Sequence, residues 1–273
     1  MVTEHEQTPS FGGSIPDVYE RLLVPMIFET YADDIAAHVS ALHPHDVLEI
    51  AAGTGVVTRA MCARLPHDVR ITATDLQQAM LDQAAQRGTS RPVEWRQADA
   101  MVLPFDDESF DVVVCQFGAM FFPDRADAFR EVRRVLRPGG SFVFNVWDGV
   151  ELNDFARIVS ESVAADFPEF PPTFIRRLPH GYHDPVQICA DLAAAGYPQP
   201  PEIVTREARS LCASAELAAT AYCHGTPMRN EIVSRDPDGL DAVTARATAA
   251  IAREYGTTDI DGRISAKVVT VAH

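Results

Sequence analysis

Between about His45 and Trp147 the sequence alternates between short β-branched runs and longer segments with helical spacing. Five runs have the length and composition of strands: Asp46–Ala51, Val69–Thr74, Val93–Gln97, Phe110–Gln116 and Gly140–Val146. After the first run, Val57, Met61 and Leu65 recur at four-residue intervals, which is typical of a helix face. Strands that alternate with helices form a parallel sheet with helices on both faces. We therefore predict an α/β fold with a mostly parallel sheet.

A strong stop signal closes the last helical segment of this block. One helix face is marked by Ala128, Val132, Val135 and Leu136, and Arg137-Pro138-Gly139-Gly140 follows directly. Proline cannot continue a helix, and glycine permits the positive φ angles of a tight reversal. We therefore expect the chain to reverse at these residues before the fifth strand begins at Gly140.

The sequence changes character after Trp147. Asp166 to Pro185 is rich in proline and aromatic residues and predicts a loop, whereas Pro185–Ala195 predicts a helix. Glu202–Ser210 and Ile264–Val271 are candidates for a sixth and a seventh strand. We expect an insert from about Ala213 to Gly262 between them, with a helix at Leu240–Tyr255.

These patterns predict one domain in three parts. Residues 1–44 are expected to form an N-terminal helical cap that carries Tyr19, Phe28 and Tyr31. Residues 45–148 are expected to form the ligand-binding core. Residues 149–273 are expected to complete the same domain with a lid insert and the last two strands.

Composition argues against several classes of protein. The net charge of −16, from 23 basic and 39 acidic residues, disfavours a phosphate-backbone partner, so we predict no nucleic-acid substrate. No apolar run is long enough to span a membrane, and Met1 to Ser14 lack the pattern of a signal peptide. We therefore predict a cytoplasmic protein. Five widely spaced cysteines form no C-x-x-C pair, so neither a disulfide framework nor a zinc site is indicated.

The most informative motif runs from Val47 to Gly55, where an apolar strand leads through Glu49 to a glycine pair. Glycines let the backbone turn sharply and approach a ligand closely. Asp75 follows at the end of the second predicted strand, where a carboxylate can accept hydrogen bonds from ribose hydroxyls. This pattern predicts a nucleoside site. A nicotinamide-dependent dehydrogenase remains an alternative, because Gly53 to Thr58 approximates G-x-G-x-x-G with threonine in place of the last glycine.

Two further segments give the block a more specific resemblance. Gln97-Ala98-Asp99-Ala100 follows the third strand, and Leu103 to Asp111 leads into the fourth. Together with the motif from Val47 to Gly55, they make Asp46 to Trp147 similar to class I S-adenosylmethionine-dependent methyltransferases. The similarity is greatest to the small-molecule branch that includes the quinone-biosynthesis (UbiE-like, methyltransferase type 11) enzymes. The resemblance implies a Rossmann-like, seven-stranded, mostly parallel sheet with an antiparallel last strand, helices on both faces and lid segments.

The resemblance also implies S-adenosyl-L-methionine as cofactor, with S-adenosyl-L-homocysteine as its product. In such a site Glu49 lies near the cofactor's ammonium group, Asp75 binds the ribose, and Leu76 covers the adenine. Asp99 accepts from the adenine amino group, and the Ala100 N–H meets a ring nitrogen. The complete set of expected cofactor-binding residues is Glu49, Ala51, Gly53, Thr54, Gly55, Asp75, Leu76, Asp99, Ala100, Gln116 and Phe117. The family usually has glycine where this chain has Ala51.

The methyl acceptor is expected to be a small molecule. Its pocket would suit a flat, apolar acceptor such as a phenol or quinone if it were lined by Tyr19, Phe28, Phe117, Phe121 and Trp147. The sequence identifies no catalytic residue.

Three histidines are possible bases, namely His180, His183 and His224, although the sequence favours a surface or structural role for each. We predict no metal site, because His180 and His183 have no third ligand nearby in the sequence. A non-catalytic descendant that keeps only the nucleoside pocket remains a further alternative. The oligomeric state is left open.

Overall fold

The computed structural model describes residues 12–273, so the first eleven residues of the predicted N-terminal cap lie outside the described part. The described chain contains a seven-stranded sheet. Its strands are β1 (Asp46–Glu49), β2 (Arg70–Asp75), β3 (Glu94–Gln97), β4 (Phe110–Gln116), β5 (Leu136–Trp147), β6 (Glu202–Ser214) and β7 (Thr258–Ala272). Their order across the sheet is β3-β2-β1-β4-β5-β7-β6.

Only the last strand of this sheet runs against the others. Neighbouring strands from β3 across to β5 pair in parallel, whereas β7 pairs antiparallel with both β5 and β6. This arrangement confirms the predicted Rossmann-like fold with an antiparallel last strand.

Helices cover both faces of the sheet. The α-helices are α1 (Ile15–Val18), α2 (Glu29–Ala41), α3 (Val56–Arg64), α4 (Gln78–Arg87), α5 (Arg125–Val135), α6 (Asp154–Asp166), α7 (Phe174–Arg177), α8 (Pro185–Ala194), α9 (Ala215–His224), α10 (Met228–Arg235) and α11 (Leu240–Tyr255). A π-helix over Tyr19–Phe28 joins α1 to α2 and contains Pro25.

Alternating side chains of the central strands build two cores. Val112 and Val114 of β4 pack in one apolar cluster with residues of α2 and α3, such as Ile35 and Met61. Val113, between them, belongs to the second cluster, which includes residues of α5, α6 and α9. Successive side chains of a strand point to opposite faces, so the apolar run in β4 serves both cores.

Several predicted boundaries were wrong by a few residues. Strand β5 begins at Leu136 rather than Gly140, because Leu136 already pairs with Phe110 of β4 before an irregularity in the register. The expected positive φ angle occurs at Gly139 (+81°), inside the strand. Strand β1 ends at Glu49 because Ala51 adopts a left-handed conformation (φ +52°) that takes the chain out of the sheet.

The second half of the chain is more regular than the sequence suggested. Strands β6 and β7 extend to a ladder that runs from Glu202 opposite Thr270 to Ser214 opposite Thr258. The segment predicted as loop contains the single helical turn α7. Within residues 12–273, no helix combines the length and apolar character needed to cross a bilayer.

Candidate functional site

A cavity of about 210 Å³ opens at the carboxyl ends of the parallel strands. In open α/β sheets this is the edge where ligands bind. The cavity is large enough for a ligand rather than for a few waters. Eight of the predicted cofactor-binding residues line it: Ala51, Gly53, Asp75, Leu76, Asp99, Ala100, Gln116 and Phe117.

Asp75 connects the second strand to the glycine turn. One carboxylate oxygen accepts a hydrogen bond from the Gly53 N–H at 2.8 Å, and the other accepts from the Gln77 N–H at 2.8 Å. Burial raises the pKa of Asp75 above its ordinary value, while these two backbone donors oppose the shift. A carboxylate oxygen has two lone pairs, so each oxygen retains capacity for a ligand hydroxyl. Asp75 is therefore positioned to bind a diol such as ribose.

The glycine turn depends on left-handed backbone at two positions separated by one residue. Gly53 and Gly55 have φ angles of +56° and +80°. A Cβ at Gly55 would lie 2.8 Å from the Trp95 ring, so this position also requires the absence of a side chain. Gly55 therefore shapes the turn through packing, whereas Gly53 lies on the cavity surface.

Ala51 occupies a position that ordinarily favours glycine. Its φ angle of +52° lies in the left-handed region, which is unfavourable for a residue with a Cβ. Its methyl group fits because residue 118 is glycine, where a Cβ would lie only 2.5 Å from the Ala51 Cβ. The protein can therefore have alanine at position 51 because the neighbouring residue in the cavity wall, Gly118, has no side chain.

Glu49 and Thr54 lie behind the cavity surface, in the part of the chain that the structure describes. The Glu49 carboxyl is buried and accepts a hydrogen bond from the Thr58 hydroxyl at 2.5 Å. Burial raises the pKa of Glu49 from 4.5 to about 8. The Thr54 hydroxyl oxygen is buried without a hydrogen-bond partner among the described residues. The Glu49 carboxyl and the Thr54 hydroxyl are therefore buried polar groups beneath the glycine turn.

Asp99 and Leu76 lie at the open side of the cavity. The side chain of Leu76 is 41% exposed, so it presents free apolar surface at the cavity. One carboxylate oxygen of Asp99 accepts from the Met101 N–H at 2.9 Å, which leaves the other for a ligand donor. The backbone of Ala98 and Ala100 completes this side. This arrangement fits a flat heterocycle that carries an amino group.

Phe117 is held in an unusual conformation at the end of β4. Its φ angle is +50°, which is rare for a bulky residue. Its N–H donates to the Asn145 side-chain oxygen at 2.9 Å, and its ring stacks on Trp147 with centroids 3.8 Å apart. Such strained residues concentrate at functional sites. This left-handed conformation places the Phe117 ring on the cavity wall.

All five aromatic residues expected around the acceptor line this same cavity. Phe28 contacts Tyr19, Phe117 and Trp147, with ring centroids 5.0, 5.6 and 5.8 Å apart. The π-helix brings Tyr19 and Phe28 over the cavity. Tyr31 contacts the Phe117 and Trp147 rings edge-on at 5.4 Å and supports them from behind.

Sequence reasoning missed part of this wall. Further lining residues come from the π-helix and from segments distant in sequence: Leu23, Ile27, Phe174, Ile175, Tyr222, Thr226 and Ile264. Apolar residues at helical spacing signal burial but do not distinguish a core from a cavity wall. Only the tertiary fold shows that these residues meet.

The three histidines lie in different environments. His180 is buried and lines the cavity, and its Nδ1 is 2.8 Å from the Asp148 carbonyl oxygen. His183 contacts the carbonyl of His180 at 2.9 Å, and His224 contacts the Thr244 hydroxyl at 3.0 Å. Neither His183 nor His224 lines the cavity in the described part. Among residues 12–273, no group of three or more potential metal ligands is found.

The described residues fit S-adenosylmethionine better than a dinucleotide. Asp75 and Asp99 both face the cavity, and no arginine or lysine of the described chain lines it. Two carboxylates without a basic side chain make the lining acidic, which favours a cationic ligand over an anionic one. An anionic pyrophosphate would find no basic side chain on this surface.

Comparison with known proteins agrees with this geometry. Residues 48–144 match the family model described as a methyltransferase domain. The matched segment begins in β1 and ends in β5, so it contains the glycine turn, Asp75, Asp99 and Phe117.

Two curated relatives are similar to part of this chain. A demethylmenaquinone methyltransferase from Deinococcus radiodurans is 35% identical over 46% of this chain and 53% of its own length. A ubiquinone/menaquinone biosynthesis C-methyltransferase UbiE from Idiomarina loihiensis is 41% identical over 34% of this chain and 39% of its own. The chain therefore spans about half the length, or less, of these relatives.

The similarity of fold extends further along the chain. The crystal structure of the YcgJ protein from Bacillus subtilis aligns with 89% of this chain and 98% of its own, with a TM-score of 0.55 and 18% identity. At this level of identity the likeness concerns the fold.

Proposed function

We propose that residues 48–144, which match the methyltransferase domain family, form a class I, S-adenosylmethionine-dependent methyltransferase domain, and that the protein transfers a methyl group to a small, apolar or aromatic acceptor. The observation that carries the proposal is the composition of the cavity. One end presents Asp75, Asp99 and the glycine turn, and the other presents stacked aromatic rings. A nucleoside and a flat acceptor would therefore share one enclosed space.

The chain's own residues would supply binding and alignment. When bound, S-adenosylmethionine supplies a methyl carbon that its sulfonium already activates. Asp75 would hold the ribose hydroxyls, and Asp99 with Ala100 would hold the adenine edge. The Phe117 ring would line the wall where the cofactor's methyl group meets the acceptor and would exclude water. Alignment of two bound reactants alone removes roughly 7–11 kcal/mol of a barrier in favourable cases.

An aromatic acceptor of the phenol or quinone type is favoured by the wall opposite the cofactor end. Phe28, Phe117, Phe121 and Trp147 provide flat apolar surfaces there. The relatives' names refer to quinone methylation in those proteins. Neither the dehydrogenase nor the non-catalytic alternative is supported by the family and relatives found.

The cofactor proposal is tested by ligand binding. We expect S-adenosylhomocysteine to raise the thermal unfolding temperature and NADH to leave it unchanged. The D75N variant should bind S-adenosylhomocysteine about tenfold or more weakly, because it loses charge-assisted hydrogen bonds. D82N is the matched control, since Asp82 lies on the exposed face of α4 and bonds Gln78 there. Stabilisation by NADH alone would refute the proposal.

The acceptor proposal is tested by transfer of a labelled methyl group. A panel of phenols and reduced quinones is compared with hydrophilic charged amines and carboxylates. We expect transfer to aromatic acceptors. Turnover of charged, hydrophilic acceptors alone would contradict the assigned acceptor class. Tight S-adenosylhomocysteine binding without transfer to any acceptor would instead favour the non-catalytic alternative.

A further inference from the structure

We propose that His180 binds the hydroxyl group of the methyl acceptor and takes its proton during methyl transfer, which makes the acceptor a hydroxylated aromatic molecule. The inference rests on the proposed methyl transfer. It assigns a role to a residue outside the segment 48–144 that matches the methyltransferase family.

The hydrogen bond at Nδ1 fixes the tautomer of His180. The Asp148 carbonyl oxygen, 2.8 Å away, can only accept, so Nδ1 carries the proton. Nε2 therefore carries a lone pair in the neutral ring. Because His180 lines the cavity and its Nδ1 is engaged with the protein, Nε2 is the ring nitrogen available to a ligand.

The surroundings of Asp148 hold this ring in place. The Asp148 carboxylate accepts from Lys267 Nζ at 2.9 Å and from the Gly149 N–H at 2.9 Å. The backbone of His180 is also held, because its N–H donates to the Ile175 carbonyl oxygen at 3.1 Å. A Cβ at Gly181 would lie 2.0 Å from the Arg177 carbonyl oxygen, so the turn after His180 requires glycine. His180 is thus rigidly positioned against the cavity.

Other polar side chains at this end of the cavity are less suited to act as a base. The side-chain oxygen of Asn153 accepts from the Ser265 N–H at 3.1 Å, and its nitrogen donates to backbone carbonyls. The Thr226 hydroxyl donates to the Tyr222 carbonyl at 2.7 Å. Burial raises the pKa of the Tyr222 hydroxyl, which keeps it protonated. His180 Nε2 is therefore the base that remains.

The charge state of His180 suits a proton acceptor. Burial lowers its pKa to about 4, and the neighbouring Arg176 and His183 side chains act in the same direction, whereas the hydrogen bond to Asp148 opposes the shift. The ring is therefore neutral at physiological pH and ready to receive a proton. This low basicity is compatible with the role, because the positive charge that forms on His180 replaces the one lost from sulfur, so the cavity gains no charge.

The proposed step conserves charge in the cavity. The acceptor's O–H bond breaks, its proton goes to Nε2, and its electron pair stays on the oxygen, which attacks the methyl carbon. The new bond to the methyl carbon forms as the S–C bond breaks, with that bond's electron pair left on sulfur. One positive charge disappears from sulfur as one appears on His180. The proton later passes to water.

The binding test uses 2-naphthol and 2-methoxynaphthalene, in which a methyl group replaces the hydroxyl hydrogen, so that only 2-naphthol can donate a hydrogen bond. Calorimetric titration of the wild-type protein should show roughly tenfold tighter binding of 2-naphthol, the worth of one hydrogen bond to a buried partner. H180N should lose this preference, since asparagine can still donate to the Asp148 carbonyl but lacks the Nε2 acceptor. H183N is the matched control and should keep it.

Equal binding of the two probes by the wild-type protein, binding of neither, or a preference retained in H180N would each overturn the proposal. S-adenosylhomocysteine is titrated in parallel and should bind H180N as tightly as the wild type. Its failure to bind any variant would instead count against the proposed function, so the two failures are distinguishable.

A pH profile separates proton transfer from mere positioning. With a phenolic acceptor, H180N should transfer methyl groups roughly 100-fold more slowly than wild type, or slower still, near neutral pH. The deficit should shrink as pH rises toward ionisation of the phenol, because a phenolate needs no base. A deficit that stays constant with pH, or wild-type activity confined to acceptors without a hydroxyl group, would overturn the proposed role.

Discussion

The contact between Ala51 and Gly118 offers a direct test of how the cavity wall is built. Gly118 has φ −103°, a conformation open to any residue, so a G118A substitution adds a methyl group without backbone strain. That Cβ would lie 2.5 Å from the Ala51 Cβ and 2.8 Å from Cys115 Sγ. Both distances are well below ordinary van der Waals contact. Overpacking of this kind costs about 1–3 kcal/mol.

The A51G substitution should rescue part of this loss. It removes the atom responsible for the 2.5 Å contact, and the next Ala51 atom is 4.0 Å from the added Cβ. On its own, A51G relieves about 1–2 kcal/mol of left-handed strain. It also frees the unfolded backbone, which costs about 0.4–1 kcal/mol. The two effects oppose each other, so we expect A51G alone to raise the free energy of unfolding by about 0–1.6 kcal/mol.

A double-mutant cycle measures the coupling. The free energies of unfolding of the wild type, A51G, G118A and the double variant are obtained from urea titrations followed by circular dichroism. Residues in direct contact couple by about 0.5–3 kcal/mol, and we expect about 1 kcal/mol or more of rescue here. The Cys115 contact should keep the rescue incomplete. If G118A costs the same in the wild-type background as in the A51G background, the packing argument is refuted.

Two further predictions concern the glycine turn and the buried acid beneath it. G55A should lower the free energy of unfolding by about 2–5 kcal/mol, since a clash with Trp95 (about 1–3 kcal/mol) adds to left-handed strain (about 1–2 kcal/mol). G88A, at φ +73° and ψ 172° with open space around the added methyl group, should lose only the cost of its backbone conformation, about 1–3 kcal/mol, in the same urea assay. Because burial raises the pKa of Glu49 from 4.5 to about 8, its contribution to stability is present below pH 4.5 and is lost as pH rises toward 8. The wild type should therefore lose stability relative to E49Q across that pH range, and a constant difference would show that Glu49 is ionised throughout.

Local sequence was sufficient to predict most of the sheet. The runs at Val47 and at Val112 to Val114 form strands because β-branched residues favour extended backbone, and a continuous apolar run fits a strand that is buried on both faces. Both runs could be recognised from the sequence. Asp75 and the glycine turn could be paired from the sequence, because the ends of neighbouring parallel strands meet at one edge. Boundaries such as Leu136 were missed, since pairing across the sheet extended β5 past the local stop signal.

The acceptor side of the cavity could not be predicted in the same way. Tyr222, Ile264 and Phe174 come from segments far apart in sequence, and nothing in their neighbours indicates that they meet. The same limit applied to the histidines, whose motif context was equally weak for all three. Only the fold distinguishes His180, in the cavity with one ring nitrogen bonded, from His183 and His224 outside it.

The sequence by itself determined the α/β architecture and the nucleoside end of the site, because both depend on short-range periodicity and on residues at strand ends. The tertiary structure decided which side chains enclose the acceptor and why alanine is tolerated at position 51. Those features depend on contacts between distant segments, and a contact at 2.5 Å or a fixed tautomer leaves no trace in local composition.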